Sequence, residues 1–421
     1  MLVLVARRDL VLFDGRAATY PLPMPDPAFD PITPLAPAPD PWASTSQPSR
    51  RDGPPYHMTD MIAAEPHIAR RIVERLADPQ GAAGRLAGAI GQAASTGAAV
   101  TVTGCGTSEH AALATVEILR EAIRAAGMPS GPGSVASAQA FELALDPPSG
   151  GLVIGVSHEG GTAATNRALA AASTAGARTA LLTASAGSPG GQLAEIVVET
   201  VELDQSWCHT VGYLAPIVAA TVVGGHLSGR TLAAEDVASL LAAGTRDEAA
   251  AEAIAGRFAD ARGLLVIASG ADRPAARELV LKVEEASWLP SAMRDLETFL
   301  HGHLPTVDAS TALVLILTDR DAREDRLERA RQALAAAAVL GARTAAIVAH
   351  DASPALPDEL TPAGRLIVDE AVALPAPVAA LLGSATPLQL LTERIARARG
   401  TNPDPIRRDD PLYAKASAAA E

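Results

Sequence analysis

The chain is poor in lysine. Of 34 basic residues only two are Lys, Lys282 and Lys415, and the remaining 32 are Arg. Arg serves wherever a fixed positive charge is enough. A retained Lys therefore points to a need for an amine, which can lose its proton and act as a base or Schiff-base nucleophile. The other reading is that two lysines are chance leftovers. Cysteine is equally scarce: two residues build no disulfide framework, which points to a reducing cytoplasm. Positive charge is in deficit, with 34 basic against 48 acidic residues and a net charge of −14. That balance argues against a nucleic-acid binder and against a polybasic membrane-surface protein. Aromatics are only 3% of a chain that is 48% hydrophobic, so a large core must come from Ala, Val, Leu and Ile.

Targeting and membrane segments are also missing. Residues 1–14 hold a short apolar patch with no leading positive charge, broken by Arg7, Arg8 and Asp9. It is neither a signal peptide nor a spanning helix. From Pro21 to Pro55 there are 12 prolines among small polar residues, so residues 1–57 are predicted to lack a packed core. Met58 opens a helical pattern directly afterwards and is an alternative start. The other reading is a Pro-rich tail that binds a partner.

What is present is alternation. The 421 residues suit two to three domains. Strand-like runs at 98–104, 151–157, 178–184 and 195–201 are separated by helical patterns at 108–126 and 162–175 and followed by one at 210–228. The order then recurs. A helix over roughly 232–261 leads to strands at 263–269, 312–318, 343–349 and 365–370, with helices at 272–289, 322–340 and 377–399. Strands this apolar are covered on both faces, and alternation with helices implies parallel sheets. The spacing predicts an α/β protein of two doubly wound units, 58–230 and 231–400, read as an internal duplication. Residues 401–421 are polar and aperiodic and read as a tail on the surface or over a site.

Ligands of doubly wound sheets sit beyond the carboxyl ends of the strands. Two loops there can hold an anion. Gly104-Cys105-Gly106-Thr107-Ser108 enters one helix, and Ser157-His158-Glu159-Gly160-Gly161-Thr162 enters another. Glycines let the backbone approach, and hydroxyls with helix-terminal amides donate to phosphate oxygens. The first loop fails as a dinucleotide fingerprint because Glu109 stands at the third Gly position, and no G-K-[ST] follows to make a P-loop. These Ser and Thr residues are alternatively plain helix caps.

Together the loops resemble the family with two sugar-isomerase (SIS) domains, and most of all the isomerase half of glutamine–fructose-6-phosphate aminotransferases, over about residues 58–421. Gly104–Ser108 resembles that family's C-G-T-S loop, and Ser157–Thr162 its S-Q-S-G-E-T phosphate loop. Leu281–Trp288 is similar to L-K-L-K-E-I-S-Y, and Phe299–His303 to L-K-H-G-P. Pro387–Leu391 matches P-L-Q-L-L, Gly400-Thr401 the G-T after it, and Tyr413–Ala416 the terminal L-A-K-S. The resemblance implies two SIS domains with a tail over the site. It implies Glu285 as the base moving a proton between C1 and C2 of an open-chain sugar. Lys282, three residues earlier on the same helical face, biases its charge. His301 is implied in ring opening across a dimer, and Lys415 at the sugar carbonyl. Thr107, Ser108, Ser157, His158, Glu159, Thr162 and Thr210 are the implied substrate contacts. No cofactor is implied, and His301 with His303 lack a third ligand for a metal. The implied partners are a sugar or sugar phosphate and a second copy of the chain, with no nucleic acid and no membrane.

Two departures shape the expected activity. Leu2 follows Met1 where the aminotransferases carry a catalytic Cys, and 57 residues do not house a glutaminase domain, so glutamine-fed synthesis is not expected. Isomerising deamination of an amino-sugar phosphate, or cleavage of a fructosyl-amine phosphate, remains. In the phosphate loop His158 replaces Gln and Glu159 replaces Ser. A carboxylate facing a phosphate weakens binding. Either Glu159 turns away, or His158 and Arg167 offset it, or it caps the helix start, or the substrate carries no phosphate there. The main rival is a non-catalytic sugar-phosphate-binding protein. Such regulators usually join one SIS unit to a DNA-binding module, for which this acidic two-unit chain has no room. A nucleotide-dependent oxidoreductase is more distant.

Overall fold

Among the described residues ten strands form two sheets of five, and every neighbouring pair is parallel. The computed structural model describes residues 29–35, 51–129, 131 and 134–419. From Pro31 on they belong to one compact unit. The first sheet contains β1 (Val100–Gly104), β2 (Val135–Gln139), β3 (Leu152–Val156), β4 (Arg178–Thr183) and β5 (Ile196–Glu199), in the order β2-β1-β3-β4-β5. The second contains β6 (Gly263–Ala268), β7 (Ser291–Asp295), β8 (Thr311–Leu317), β9 (Arg343–Ala349) and β10 (Gly364–Val368), in the order β10-β9-β8-β6-β7. Counted from its own first strand, each sheet has the same order. The expected α/β class with two parallel sheets is what the chain adopts. Most of the Pro-rich stretch expected over 1–57 lies outside the described residues.

The helices are, in chain order, α1 (His57–Arg75), α2 (Ala82–Thr96), α3 (Thr107–Ala125), α4 (Ala140–Leu145), α5 (Ala163–Thr174), α6 (Val211–Ser228), α7 (Ala234–Ala243), α8 (Glu248–Phe258), α9 (Arg273–Ser287), the single turn α10 (Leu296–Thr298), α11 (Arg323–Val339), α12 (Ala376–Ala398) and α13 (Pro411–Ala418). Strands β3 and β8 are buried at every position, as two-sided coverage requires. Helix α6 is apolar all round and packs on α1, α2 and α3. Among the described residues it is the only helix long and apolar enough to cross a membrane, and 83% of it is buried inside the protein.

Four elements differ from the sequence reading. The edge strands β2 (VASAQ) and β7 (SAMRD) carry no apolar run, unlike the opposite edges β5 (IVVE) and β10 (GRLIV). The helix expected over 232–261 is two helices, α7 and α8. The break comes at Gly244, where a Cβ would overlap Thr386 and lie 2.7 Å from Cδ of Pro387 on α12. The tail is not aperiodic throughout. Asp410 caps α13 by accepting from the Leu412 amide at 2.9 Å, and Pro411 occupies its first turn.

The two halves are joined by helices. Helix α3 packs on α9 and α12, and α6 packs on α12. The tail closes the junction. The Asp404 carboxylate accepts from the His57 and Met58 amides at 2.8 and 2.9 Å, capping α1, and its carbonyl accepts from the Trp207 amide at 3.1 Å.

Candidate functional site

The two Gly-rich loops lie side by side, at the carboxyl ends of β1 and β3. Gly104 permits the first turn, since a Cβ there would lie 2.5 Å from the Ser108 carbonyl oxygen. Ser108 is buried at the start of α3, and the Thr107 hydroxyl donates to Glu278 on α9 at 3.3 Å. In the second loop Gly160 takes a φ of +73°, and a Cβ would overlap the Ser188 hydroxyl. The His158 carbonyl accepts from the Ala184 amide at 2.7 Å, and the Gly160 carbonyl accepts from the Gly190 amide at 2.9 Å. The backbone on both sides of Glu159 is thereby pinned. Ser157 is buried, and its hydroxyl donates to that of Thr162, the N-cap residue of α5, at 3.3 Å.

Helix α9 brings a buried charge cluster to the first loop. Lys282 is fully buried, with its Nζ 2.5 Å from Glu285 Oε2 and 3.7 Å from Glu278 Oε1. Glu285 keeps 22% of its side chain exposed, whereas Glu278 is fully buried. Glu278 also meets His110 Nδ1 at 2.7 Å, from the first turn of α3. Burial opposes the charge on Lys282, but Glu285 and Glu278 outweigh it and hold the ammonium above its ordinary range. Burial likewise opposes ionisation of Glu278, and Lys282 with His110 reverses that, so Glu278 stays ionised. The compositional expectation of a lysine that sheds its proton therefore does not describe Lys282. Its distinguishing property is size: a compact ammonium fits a fully buried gap between two carboxylates.

The segment before α6 joins this cluster to the second loop. Asp204 is fully buried and accepts from the amides of Thr210, Val211 and Gly212 at 2.7, 2.8 and 3.3 Å, filling the helix N-terminus. Burial would raise its pKa, but His209, His158 and the Ser206 amide hold it down at about 2. His209 Nδ1 lies 3.7 Å from Asp204 Oδ2, and its ring stands 5.4 Å from that of His158. Burial lowers His209, yet Asp204 outweighs it and leaves the imidazole easier to protonate than usual. Burial, with His209 beside it, pushes His158 down to about 4. Burial also raises Glu159. Thr210 is fully buried at the N-cap of α6, with its hydroxyl unpartnered.

Two implied site residues stand apart within one chain. His301 is exposed and pairs with Glu297 at 2.6 Å rather than with the α9 cluster. Lys415 is exposed on α13. The tail itself reaches the site's rim. The Arg407 guanidinium lies 4.2 Å from the Trp288 ring at the end of α9 and 3.7 Å from the Tyr413 ring, while Arg408 lies 4.3 Å from the Trp207 ring. Sequence reasoning missed Glu278, His110, Asp204 and His209. Glu278 carried a signal, standing four residues before Lys282 and seven before Glu285 on one helical face. His110 became visible only through a contact distant in sequence, with Glu278 on α9, whereas Asp204 and His209 lie within eight residues of the start of α6 and meet each other locally. Among the described residues no group of three or more His, Cys, Asp or Glu side chains is placed to hold a metal ion.

The matching strand ends of the second sheet are filled from within. Asp272 accepts from the Thr318 and Asp319 amides at 2.8 and 3.1 Å, and from the Thr318 hydroxyl. Asp319 accepts from the Ala271 amide at 2.9 Å and pairs with Arg326. A Cβ at Gly270, with φ of +61°, would overlap Arg326. The chain's own carboxylates take the amides that a ligand would need there, so the open strand ends are those of the first sheet.

Comparison with known proteins agrees with this architecture. Residues 257–380, which take in the five strands of the second sheet, match the family model of the SIS domain. The first sheet lies outside the matched residues, and its likeness to the second rests on their shared strand order. The chain is 28% identical to the glutamine–fructose-6-phosphate aminotransferase (isomerizing) of Gloeobacter violaceus over 322 residues, which are 72% of this chain and 50% of that protein. It thus spans about half the length of that curated relative. Among solved structures, the C-terminal domain of a glucosamine-fructose-6-phosphate aminotransferase from Francisella tularensis superposes with a TM-score of 0.71 at 17% identity, covering 85% of this chain and 99% of the other. Tagatose-6-phosphate ketose/aldose isomerase from Escherichia coli gives 0.65 at 17% identity, covering 89% and 97%. Glucosamine-6-phosphate deaminase from Thermotoga maritima gives 0.61 at 15% identity, covering 83% and 97%.

Proposed function

We propose that the protein interconverts aldose and ketose forms of a sugar derivative, with loss of the amine where the substrate carries one at C2 or C1. The observation that supports this best is the Glu285 carboxylate, at the edge of solvent, fixed by the buried Lys282 at 2.5 Å. A carboxylate in that setting suits a base that moves a carbon-bound proton. In this reading Glu285 takes the proton from C2 of the open-chain aldose, the electron pair moves to the C1 carbonyl oxygen, and the O2 hydroxyl proton passes to O1 at the enediol stage. Return of the carbon-derived proton from Glu285 to C1, as the carbonyl forms at C2, gives the ketose. With an amine at C2 the same shift leaves an imine; water adds to it and ammonia departs. Lys282 fixes the Glu285 carboxylate through their contact at 2.5 Å, and Glu278 with His110 holds Lys282 in place. Thr107, Ser108, Ser157, Thr162 and Thr210 supply hydroxyls toward the two loops, where the sugar chain would lie.

His301 and Lys415 enter this reading as residues completed by assembly and by movement of the tail. His301 would reach a site on a second copy of the chain, and Lys415 would approach the carbonyl when α13 folds inward. The test is incubation of the full chain in D2O with amino sugars, fructosyl-amines and their phosphates. Ketose formation, ammonia release and deuterium at C2 are then read. Exchange with any of them supports the reading. A protein that binds these sugars without exchange is a sugar-binding protein, and the enzymatic reading then fails.

A further inference from the structure

We propose that the end of the sugar seated on the loop after β3 carries a free hydroxyl and no phosphate, with Glu159 as the residue that sets this preference. The inference rests on the sugar-isomerase reading and narrows its substrate class. A loop at a strand's carboxyl end that feeds a helix is ordinarily an anion cradle. Here three features remove that character.

First, Glu159 stands in the middle of the loop and cannot be carried away by the backbone. The carbonyls on either side of it, of His158 and Gly160, are each held by an amide at 2.7 and 2.9 Å. Its side chain is half-buried, beside His209, Asp204 and Arg408. Second, of the two helix N-termini beside the loop that of α6 is already taken, which leaves the first amides of α5. Asp204 occupies three amides at the start of α6 and is fully buried. Third, no Lys or Arg among the described residues bonds to the loop. Arg167 is exposed on α5. His158 is buried, which with His209 pushes it down to about 4. Of the groups that act on Glu159, His209 and Arg408 are basic and Asp204 is acidic, so, counting Glu159 itself, acidic and basic groups are equal in number. A phosphate would bring two negative charges to a neighbourhood that has none to answer them.

What the loop does offer is an acceptor together with donors. The first amides of α5 have no carbonyl within the helix to bond, and the Glu159 carboxylate accepts. A hydroxyl satisfies both, donating to Glu159 while accepting from an amide; a phosphate monoester near neutral pH is rich in acceptors and leaves Glu159 facing another oxygen. Sites whose polar groups demand a specific donor discriminate strongly against ligands that lack it.

The test uses binding of open-chain analogues that cannot react, by calorimetry on the full chain: glucitol against glucitol 6-phosphate. Glucitol should bind at least ~10-fold more tightly. Glu159→Ser, which supplies a hydroxyl and removes the carboxylate, should reverse the order, and Glu159→Gln should narrow it. Tighter binding of the phosphate by the unaltered protein overturns the proposal and leaves the isomerase reading standing. An order unchanged in Glu159→Ser overturns the role of Glu159. If neither analogue binds while turnover is also absent, the sugar reading fails and this proposal with it.

Discussion

The Lys282 ammonium and the Glu285 carboxylate meet at 2.5 Å, one residue fully buried and the other open to the site. The pair works in one direction. Glu285 and, 3.7 Å from the same nitrogen, Glu278 hold the Lys282 ammonium above its ordinary range, and Lys282 in turn fixes the Glu285 carboxylate at the partly exposed edge of α9. An isolated buried ammonium would be costly, and two carboxylates with a histidine offset that cost.

Glu285→Gln keeps the shape of the side chain and removes the base. Exchange of the C2 proton with solvent should fall by ~10²–10⁴-fold while sugar binding persists. The measurement is deuterium incorporation by NMR alongside calorimetric binding. Undiminished exchange places the base elsewhere.

Lys282→Met leaves the buried Glu278 charge with only His110 and Thr107 to offset it. Loss of one partner of a buried pair costs about 3–5 kcal/mol, read from the urea midpoint. The double variant Lys282→Met with Glu278→Gln should recover much of that stability without recovering activity, because the two sites couple directly. Lys282→Arg should also be poorly tolerated, since the longer side chain overfills a gap with no exposed surface. Full stability and turnover in Lys282→Arg would show that only the charge matters.

Asp204 ties stability to acidity. Its folded pKa of about 2 lies below its ordinary value of 3.8, so its contribution is full above about pH 4 and is lost as pH falls through about 2. At 1.36 kcal/mol per unit this amounts to roughly 2 kcal/mol. Asp204→Asn should lower stability at neutral pH and flatten the loss on the acid side, measured as melting temperature between pH 2 and 6. Asp272, which burial raises to about 6, works with the opposite sign: its contribution is full below 3.8 and fades as pH rises through about 6. Taking the difference between variant and parent at each pH cancels it.

Arg407, between Trp288 and Tyr413, anchors the tail that carries Lys415. Arg407→Ala should speed proteolysis between α12 and α13 and raise KM more than it lowers kcat. If Lys415 acts as an amine on the sugar carbonyl, Lys415→Arg should be nearly as damaging as Lys415→Ala, and borohydride with a ketose should leave a reduced adduct on Lys415. A fully active Lys415→Arg with nothing trapped reduces Lys415 to a charge contact.

The residue pattern alone determined the fold class, because the central strands are continuous apolar runs and the helices between them keep one period. It determined the two Gly-rich loops as well, since their glycines and hydroxyls are contiguous, and it placed Lys282 and Glu285 on one face of one helix. It was silent on β2 and β7, which lack an apolar run, and on the break after α7, where Gly244 is required because α12 passes too close for a side chain. Only the tertiary structure decided the site's electrostatics. His110 and Glu278 are 168 residues apart, yet they form one cluster because α3 packs on α9. Burial works against charge on both Asp204 and His209, and their contact with each other, beside His158, outweighs it; that balance belongs to the folded neighbourhood and local sequence does not carry it.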